Sequence, residues 1–171
     1  MPSGKEAQMA SKTARGASGG GAARRSPTGA RVAEARPSYM ALLGLASDSV
    51  LVVREAIEEG LGYDAFIHFV EATSLPVAVA SELTRIPART LARRRLEGRL
   101  GPEESDRLVR AARVVGRAIE LFENDVQAAR QWLEAPQRAL GGVAPLEFAR
   151  TDVGARAVET LIGQTEHGIP A

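Results

Sequence analysis

The chain has 171 residues, with 22 Lys plus Arg against 21 Asp plus Glu for a formal net charge of +1, and it contains no cysteine. That excludes disulfide scaffolds, thiol nucleophiles and cysteine-ligated zinc or iron–sulfur sites, and leaves His68 and His167 as the two imidazoles, neither in a recognisable catalytic motif. With 44% hydrophobic but only 4% aromatic residues, the core is to be built from Ala, Leu, Val and Ile, a mixture that suits helices.

The net charge averages over unequal parts. Residues 1–37 carry seven basic and two acidic groups, residues 85–99 six and one, and the remainder nine and eighteen. Such a chain has two positive surfaces and an acidic body, which speaks to partners and not to fold. From Met1 to Pro37 the sequence is rich in Ala, Gly, Ser and Arg. It has too few large apolar side chains to offset the entropy of ordering, so a disordered basic tail is expected. Its Arg24, Arg25 and Arg31 suit non-specific phosphate attraction, and a translation start at Met40 is the alternative to a functional tail.

Ordered structure is expected from Ser38. Tyr39–Leu45 is a short apolar segment of undetermined state. Ser47 or Asp48 then caps a helix through Val50, Val53 and Ile57 that stops at Gly60. A second helix runs from Tyr63 or Asp64 to Thr73, with Phe66, Phe69 and Val70 as its stripe. Pro76 opens a third helix and Pro87 a fourth, which Gly98 closes. Two short helices separated by three residues have the spacing of a helix-turn-helix. Arg85 stands at the turn position where many such motifs carry Gly.

Pro102 and two glutamates open a long helix with Leu108, Val109, Ala112, Val115, Ile119 and Phe122 at helical spacing. Asn124 or Asp125 caps the next, with Ala128, Ala129, Trp132 and Leu133 inward and Pro136 as its end. A Gly-Gly turn at 141 and 142, a short helix at Pro145–Ala149 and a final helix at Asp152–Gln164 follow. The expected architecture is all-α without internal repeats. No run approaches the roughly 18 apolar residues of a membrane span, and no signal-type apolar region follows the basic N-terminus, so a cytoplasmic protein is expected.

Stepping about 100° per residue from Leu91 places Ala88, Ala92 and Arg95 on its side of the fourth helix and Thr90, Arg93, Arg94 and Glu97 opposite. Arg89, Thr90, Arg93 and Arg94 are therefore the candidate DNA-binding residues, since arginine contacts guanine O6 and N7 bidentately in the major groove. Arg95 is expected to face inward, toward an acidic partner or a phosphate. A solvated basic helix in a bundle is the plainer reading of the same residues.

The stretch from "RTLARRRLEG" to "HGIP", and above all Ala129, Trp132, Leu133, Pro136, Leu140, Gly141, Gly142, Pro145, Leu146, Thr151, Gly154, Val158, Leu161, His167 and Gly168, resembles the Xre/MbcA/ParS antitoxins, partners of RES-domain toxins. The likeness covers about 38–170. It implies a helix-turn-helix domain over 38–117 that binds operator DNA and a toxin-binding domain over 118–171 that closes the active site of an NAD-degrading toxin. It also implies a division of labour, with the basic helix for DNA and the acidic C-terminal part for the toxin, in a homodimer within a hetero-oligomer. No cofactor, metal, catalytic residue or membrane partner is implied. Gly141, Gly142, Pro145, Leu146, Thr151, Gly154, His167, Gly168 and Ile169 are the implied toxin contacts. Arg156 either pairs with Asp152 or Glu159 or anchors the partner. Phe148 and Ala149 stand where many members have aliphatic residues, and Glu123-Asn124 where a Gly is common. Read from the residues alone, Trp132 and Leu133 are core, the Gly-Gly pair is a turn and the C-terminus is a frayed end. A transcriptional regulator whose C-terminal region dimerises or senses a ligand is the alternative function.

Overall fold

The structure, a computed structural model, describes residues 39–46 and 49–166. The expectations for the tail, for a cap at Ser47 or Asp48, and for His167, Gly168 and Ile169 lie outside the described residues. A 3-10 turn at Ala41–Leu43 is followed by α1 (Val50–Glu59), α2 (Tyr63–Thr73), α3 (Val77–Thr84), α4 (Ala88–Glu97) and α5 (Pro102–Leu121). After α6 (Val126–Glu134) come a second 3-10 turn at Arg138–Leu140, α7 (Pro145–Phe148) and α8 (Asp152–Glu166). The architecture is all-α, as expected. Two isolated backbone bridges, Gly62 to Arg99 and Gln137 to Val143, are the only extended pairings among the described residues.

The long helix α5 organises the rest. Leu108, Ala111, Ala112, Val114, Val115, Ala118 and Ile119 are buried along it, and it packs against the first 3-10 turn, α1, α2 and α3 as well as α6 and α8. Its small side chains permit this crowding: a Cβ added at Gly116 would lie 3.0 Å from that of Tyr39. Phe66, Phe69, Met40, Leu43, Ile86 and Leu100 fill the core on the N-terminal side, and Leu133, Val158 and Ile162 on the other. The expected division after residue 117 falls inside α5.

Local chemistry fixes the helix ends. At the start of α5 the Glu104 carboxylate accepts from the Gly101 amide at 2.7 Å, and Ser105 Oγ donates to the Gly101 carbonyl while accepting from the Leu61 amide. The α4 end is pinned to the α1–α2 turn by Leu100 N to Leu61 O at 2.8 Å and Tyr63 N to Gly98 O at 3.0 Å. Gly60 tolerates this approach because its φ is +85° and no Cβ intrudes on the Leu100 carbonyl. After α5, Glu123 and Asn124 both adopt left-handed φ, 53° and 71°, which accounts physically for a Gly being favoured in that corner. Asp125 then caps α6 by accepting from the Gln127 and Ala128 amides.

Two stripe assignments are corrected. Val50 is 79% exposed and Val153 is 78% exposed, although helical spacing groups Val50 with Val53 and Ile57, and Val153 with Ala157 and Leu161, on apolar faces. Each lies in the first turn of its helix, and Val50 is among the residues lining an open cleft that also includes Asp152. No single helix among the described residues is long and apolar enough to cross a membrane.

Candidate nucleic-acid interface and partner surface

Helices α3 and α4 meet through a three-residue turn in which Ile86 is fully buried. Arg85 closes α3 in the left-handed conformation, φ 53°, with its amide bonded to the Glu82 carbonyl at 3.1 Å. The Ile86 amide donates to the Ser81 carbonyl, and Ser81 Oγ returns a bond to the Ile86 carbonyl at 2.6 Å. From α5, Arg107 Nε donates to the Thr84 carbonyl at 2.9 Å. The turn is thus tied from both sides and sets α4 at a fixed angle to α3.

Only Leu91 of α4 is buried, and Arg94 and Arg95 are placed the other way round from the expectation. Arg94, expected to face outward, is half-buried and makes a forked ion pair to Glu104, Nε to Oε2 at 2.7 Å and Nη2 to Oε1 at 3.1 Å. Its remaining Nη1 donates to Glu97 at 2.6 Å. Those hydrogen bonds, to Glu104 first and Glu97 second, raise the Arg94 pKa above its ordinary value. Burial pushes the Glu104 carboxyl up, but the bonds from Arg94 and the Gly101 amide outweigh it and hold its pKa below the usual value. Arg95, expected to face inward, is exposed, as are Ala88 and Ala92, and Thr90 is half-buried. The physical reason is helical geometry: at about 100° per residue Arg94 lies only about 60° from Leu91, on the flank of the buried leucine and not opposite it, and there the Arg94–Glu104 fork closes the contact with α5 while Arg95 on the other flank stays in solvent. Arg89 and Arg93 are exposed, Arg93 sharing a looser 3.5 Å pair with Glu97. Arg95 is exposed on another side of the helix, and Arg85 and Arg99 are exposed just beyond its two ends.

The C-terminal candidates divide into two groups. Gly141 and Gly142 are exposed with φ of 69° and 83° and open space around each missing Cβ, so backbone conformation is what requires glycine there. Pro145, Leu146 and Gly154 are buried. A Cβ at Gly154 would fall 1.7 Å from the Phe148 carbonyl oxygen, so this residue lets α7 and α8 close on each other. Thr151 is exposed and its Oγ1 accepts from the Gly154 amide at 3.1 Å, opening α8. Arg156 pairs within its helix to Asp152 at 3.0 Å, while Glu159 is taken by Arg113 of α5. The structure therefore brings Thr151 and Gly154 together and leaves Gly141, Gly142, Thr151 and Arg156 on the surface.

Several structural residues carry little sequence signal. Arg113–Glu159, Arg117–Glu166 and Arg110–Asp152 fasten α8 to α5. Arg150 pairs with Glu82 of α3, and Arg130 Nη1 donates to the Ser74 carbonyl. Glu104 was the one with a readable sign, being a glutamate at the third position of a helix.

This arrangement, a short-turn helix pair with a basic face followed by a helical module sharing α5, is matched by comparison with known proteins. A family model described as the antitoxin Xre-like helix-turn-helix domain matches residues 52–113. A second, described as the antitoxin Xre/MbcA/ParS C-terminal toxin-binding domain, matches 117–168. Antitoxin Xre of Yersinia enterocolitica is 37% identical over 128 residues, 74% of this chain and 86% of that protein. The chain belongs to the Xre/MbcA/ParS antitoxin family. Antitoxin Xre of Photorhabdus laumondii is 42% identical over 73 residues, 43% of this chain and 49% of that protein. That of Pseudomonas putida is 33% identical over 84 residues, 48% and 52% respectively. As an Xre/MbcA/ParS antitoxin the protein is non-enzymatic and carries a helix-turn-helix domain and a toxin-binding domain.

Proposed function

We propose that this antitoxin neutralises a RES-domain, NAD-degrading toxin by closing the toxin's active site with its C-terminal domain. Through α4 it also holds the complex on the operator DNA of its own operon, as a homodimer within a toxin–antitoxin hetero-oligomer. The observation that carries this reading is the coexistence of exposed arginines on and beside α4, namely Arg85, Arg89, Arg93, Arg95 and Arg99, and an acidic C-terminal part, with four basic against eight acidic groups from Ala118 onward, in one helical chain. Arg89 and Arg93 are the proposed base readers, with Thr90 at the edge of the face and Arg94 as the residue that positions the helix. Gly141, Gly142, Thr151 and Arg156 are the proposed exposed toxin contacts, joined by His167, Gly168 and Ile169. Pro145, Leu146 and Gly154 shape that surface from beneath. Localisation in the cytoplasm follows from the proposed DNA and NAD-linked partners.

The test pairs the purified protein with the toxin encoded by the neighbouring gene and measures NAD consumption. Full-length protein is expected to abolish it, and a chain ending at Glu166 to inhibit at least tenfold less well. Equal inhibition by the shortened chain overturns the role of the last residues. NAD consumption that is unaffected by the full-length protein overturns the proposed neutralisation.

A further inference from the structure

We propose that Leu96 of α4 is a base-reading residue that recognises the C5-methyl group of a thymine in the major groove. This rests on the DNA-binding reading above. Leu96 is 90% exposed, more than any other large apolar side chain among the described residues. Leu91 alone supplies the buried contact of α4, so Leu96 adds nothing to the core. By helical spacing Leu96 lies one turn beyond Ala92 and two turns beyond Arg89, and all three are exposed. Arg89 and Arg93 lie on its side of the helix by spacing, and Arg85, Arg95 and Arg99 add further exposed positive charge on or next to α4.

The occupant of such a face has to be polyanionic and must also offer an isolated apolar group. Charge complementarity selects a phosphate backbone, and among duplex surfaces the major groove presents an apolar group, the thymine methyl, whereas the minor groove presents none. Membrane insertion is disfavoured, because one leucine amid five cations buries far less apolar area than an interfacial helix needs. From Arg89 to Leu96 the helix rises by roughly 10 Å at 1.5 Å per residue. At 3.4 Å per base-pair step that distance is about three steps. The thymine read by Leu96 therefore lies about three steps from the guanine read by Arg89, in each half-site.

The experiment selects duplexes bound by the full-length protein from a random-sequence pool. Each thymine of the enriched half-site is then replaced by deoxyuridine, which keeps the base pair and removes only the methyl. At fixed salt, one replacement per half-site is expected to weaken binding about fourfold, the equivalent of about 0.8 kcal/mol for one buried methyl group. Leu96→Ala is expected to bind the thymine duplex about fourfold less well and to be insensitive to that replacement. The side chain is exposed, so the variant is expected to fold normally, which circular dichroism checks. Equal binding of every deoxyuridine duplex overturns the proposal, as does a Leu96→Ala protein that stays sensitive at the same position. So does a variant that loses toxin inhibition while its DNA binding is unchanged, which assigns Leu96 to a protein partner. If no duplex is enriched, the DNA-binding reading itself falls and the Leu96 proposal with it.

Discussion

Glu104 joins three tasks in one carboxylate: it caps α5 through the Gly101 amide, orients Arg94, and thereby sets which side of α4 faces out. Replacing it with Ala removes hydrogen bonds to a charged group, and Glu104→Ala is expected to cost about 2 kcal/mol in denaturant unfolding at neutral pH. Its carboxyl is held below the ordinary value of 4.5 in the folded protein, so the unfolded chain takes up the proton first as pH falls. Its stabilisation is complete above that ordinary value and is lost as pH drops through the folded one. Thermal melts across acid pH are expected to show a shallower loss in Glu104→Ala than in the wild type. Gly154 is the opposite case, essential for what it lacks. Gly154→Ala forces a methyl into the Phe148 carbonyl, and a loss of about 3 kcal/mol with a lower melting temperature is expected. Of these roles only the helix-capping glutamate had a readable sign in the chain; its pairing with Arg94 and the close approach at Gly154 had none. Arg94 was expected outward although it stands only about 60° from Leu91 on a helix, and with Arg95 about 40° away on the other flank, spacing alone could not say which of the two arginines meets a carboxylate.

Among the elements, the helices whose apolar spacing and end signals agree were legible, and α2 and the α3–α4 pair match the sequence reading to within a residue or two. The 3-10 turn at Arg138–Leu140 was not, because its support is tertiary: the Gln137–Val143 bridge and the Gln137 side chain bonded to the Trp132 and Ala135 carbonyls. Arg85 is the element-scale compromise. A non-glycine residue in the left-handed region costs roughly 1 kcal/mol, and Arg85→Gly is expected to raise stability by up to about that amount in thermal unfolding. If Arg85 instead earns its place at the phosphate backbone, the same variant lowers the slope of log affinity against log salt by about 1. Higher stability together with a shallower salt slope is the expected pair of results.

For the whole molecule, the unequal partition of charge was visible in the sequence, and the structure gathers the basic part on α4. The ion pairs that join the two family-matched regions were not visible. Arg150–Glu82 and Arg113–Glu159 connect residues 68 and 46 positions apart, and a chain with 21 acidic groups offers many equally plausible pairings until packing selects among them. With α5 contributing to both sides of the core, heat unfolding of the protein is expected to be a single transition. Fluorescence of the lone Trp132 and far-ultraviolet circular dichroism should then share one midpoint, and separated midpoints would show that the two regions melt independently.

The continuity of α5 also limits how such proteins can exchange parts by recombination. A crossover within 102–121 would splice two half-helices whose buried faces had been fitted to different neighbours. A crossover at the left-handed corner of Glu123 and Asn124 hands over α6 to α8 while keeping α5 whole. Such a hybrid still has to accept a foreign α8 along Arg110, Arg113 and Arg117. A corner-to-terminus cassette is therefore the unit expected to transfer between such proteins intact, provided that it fits the three arginines that the recipient's own α5 supplies.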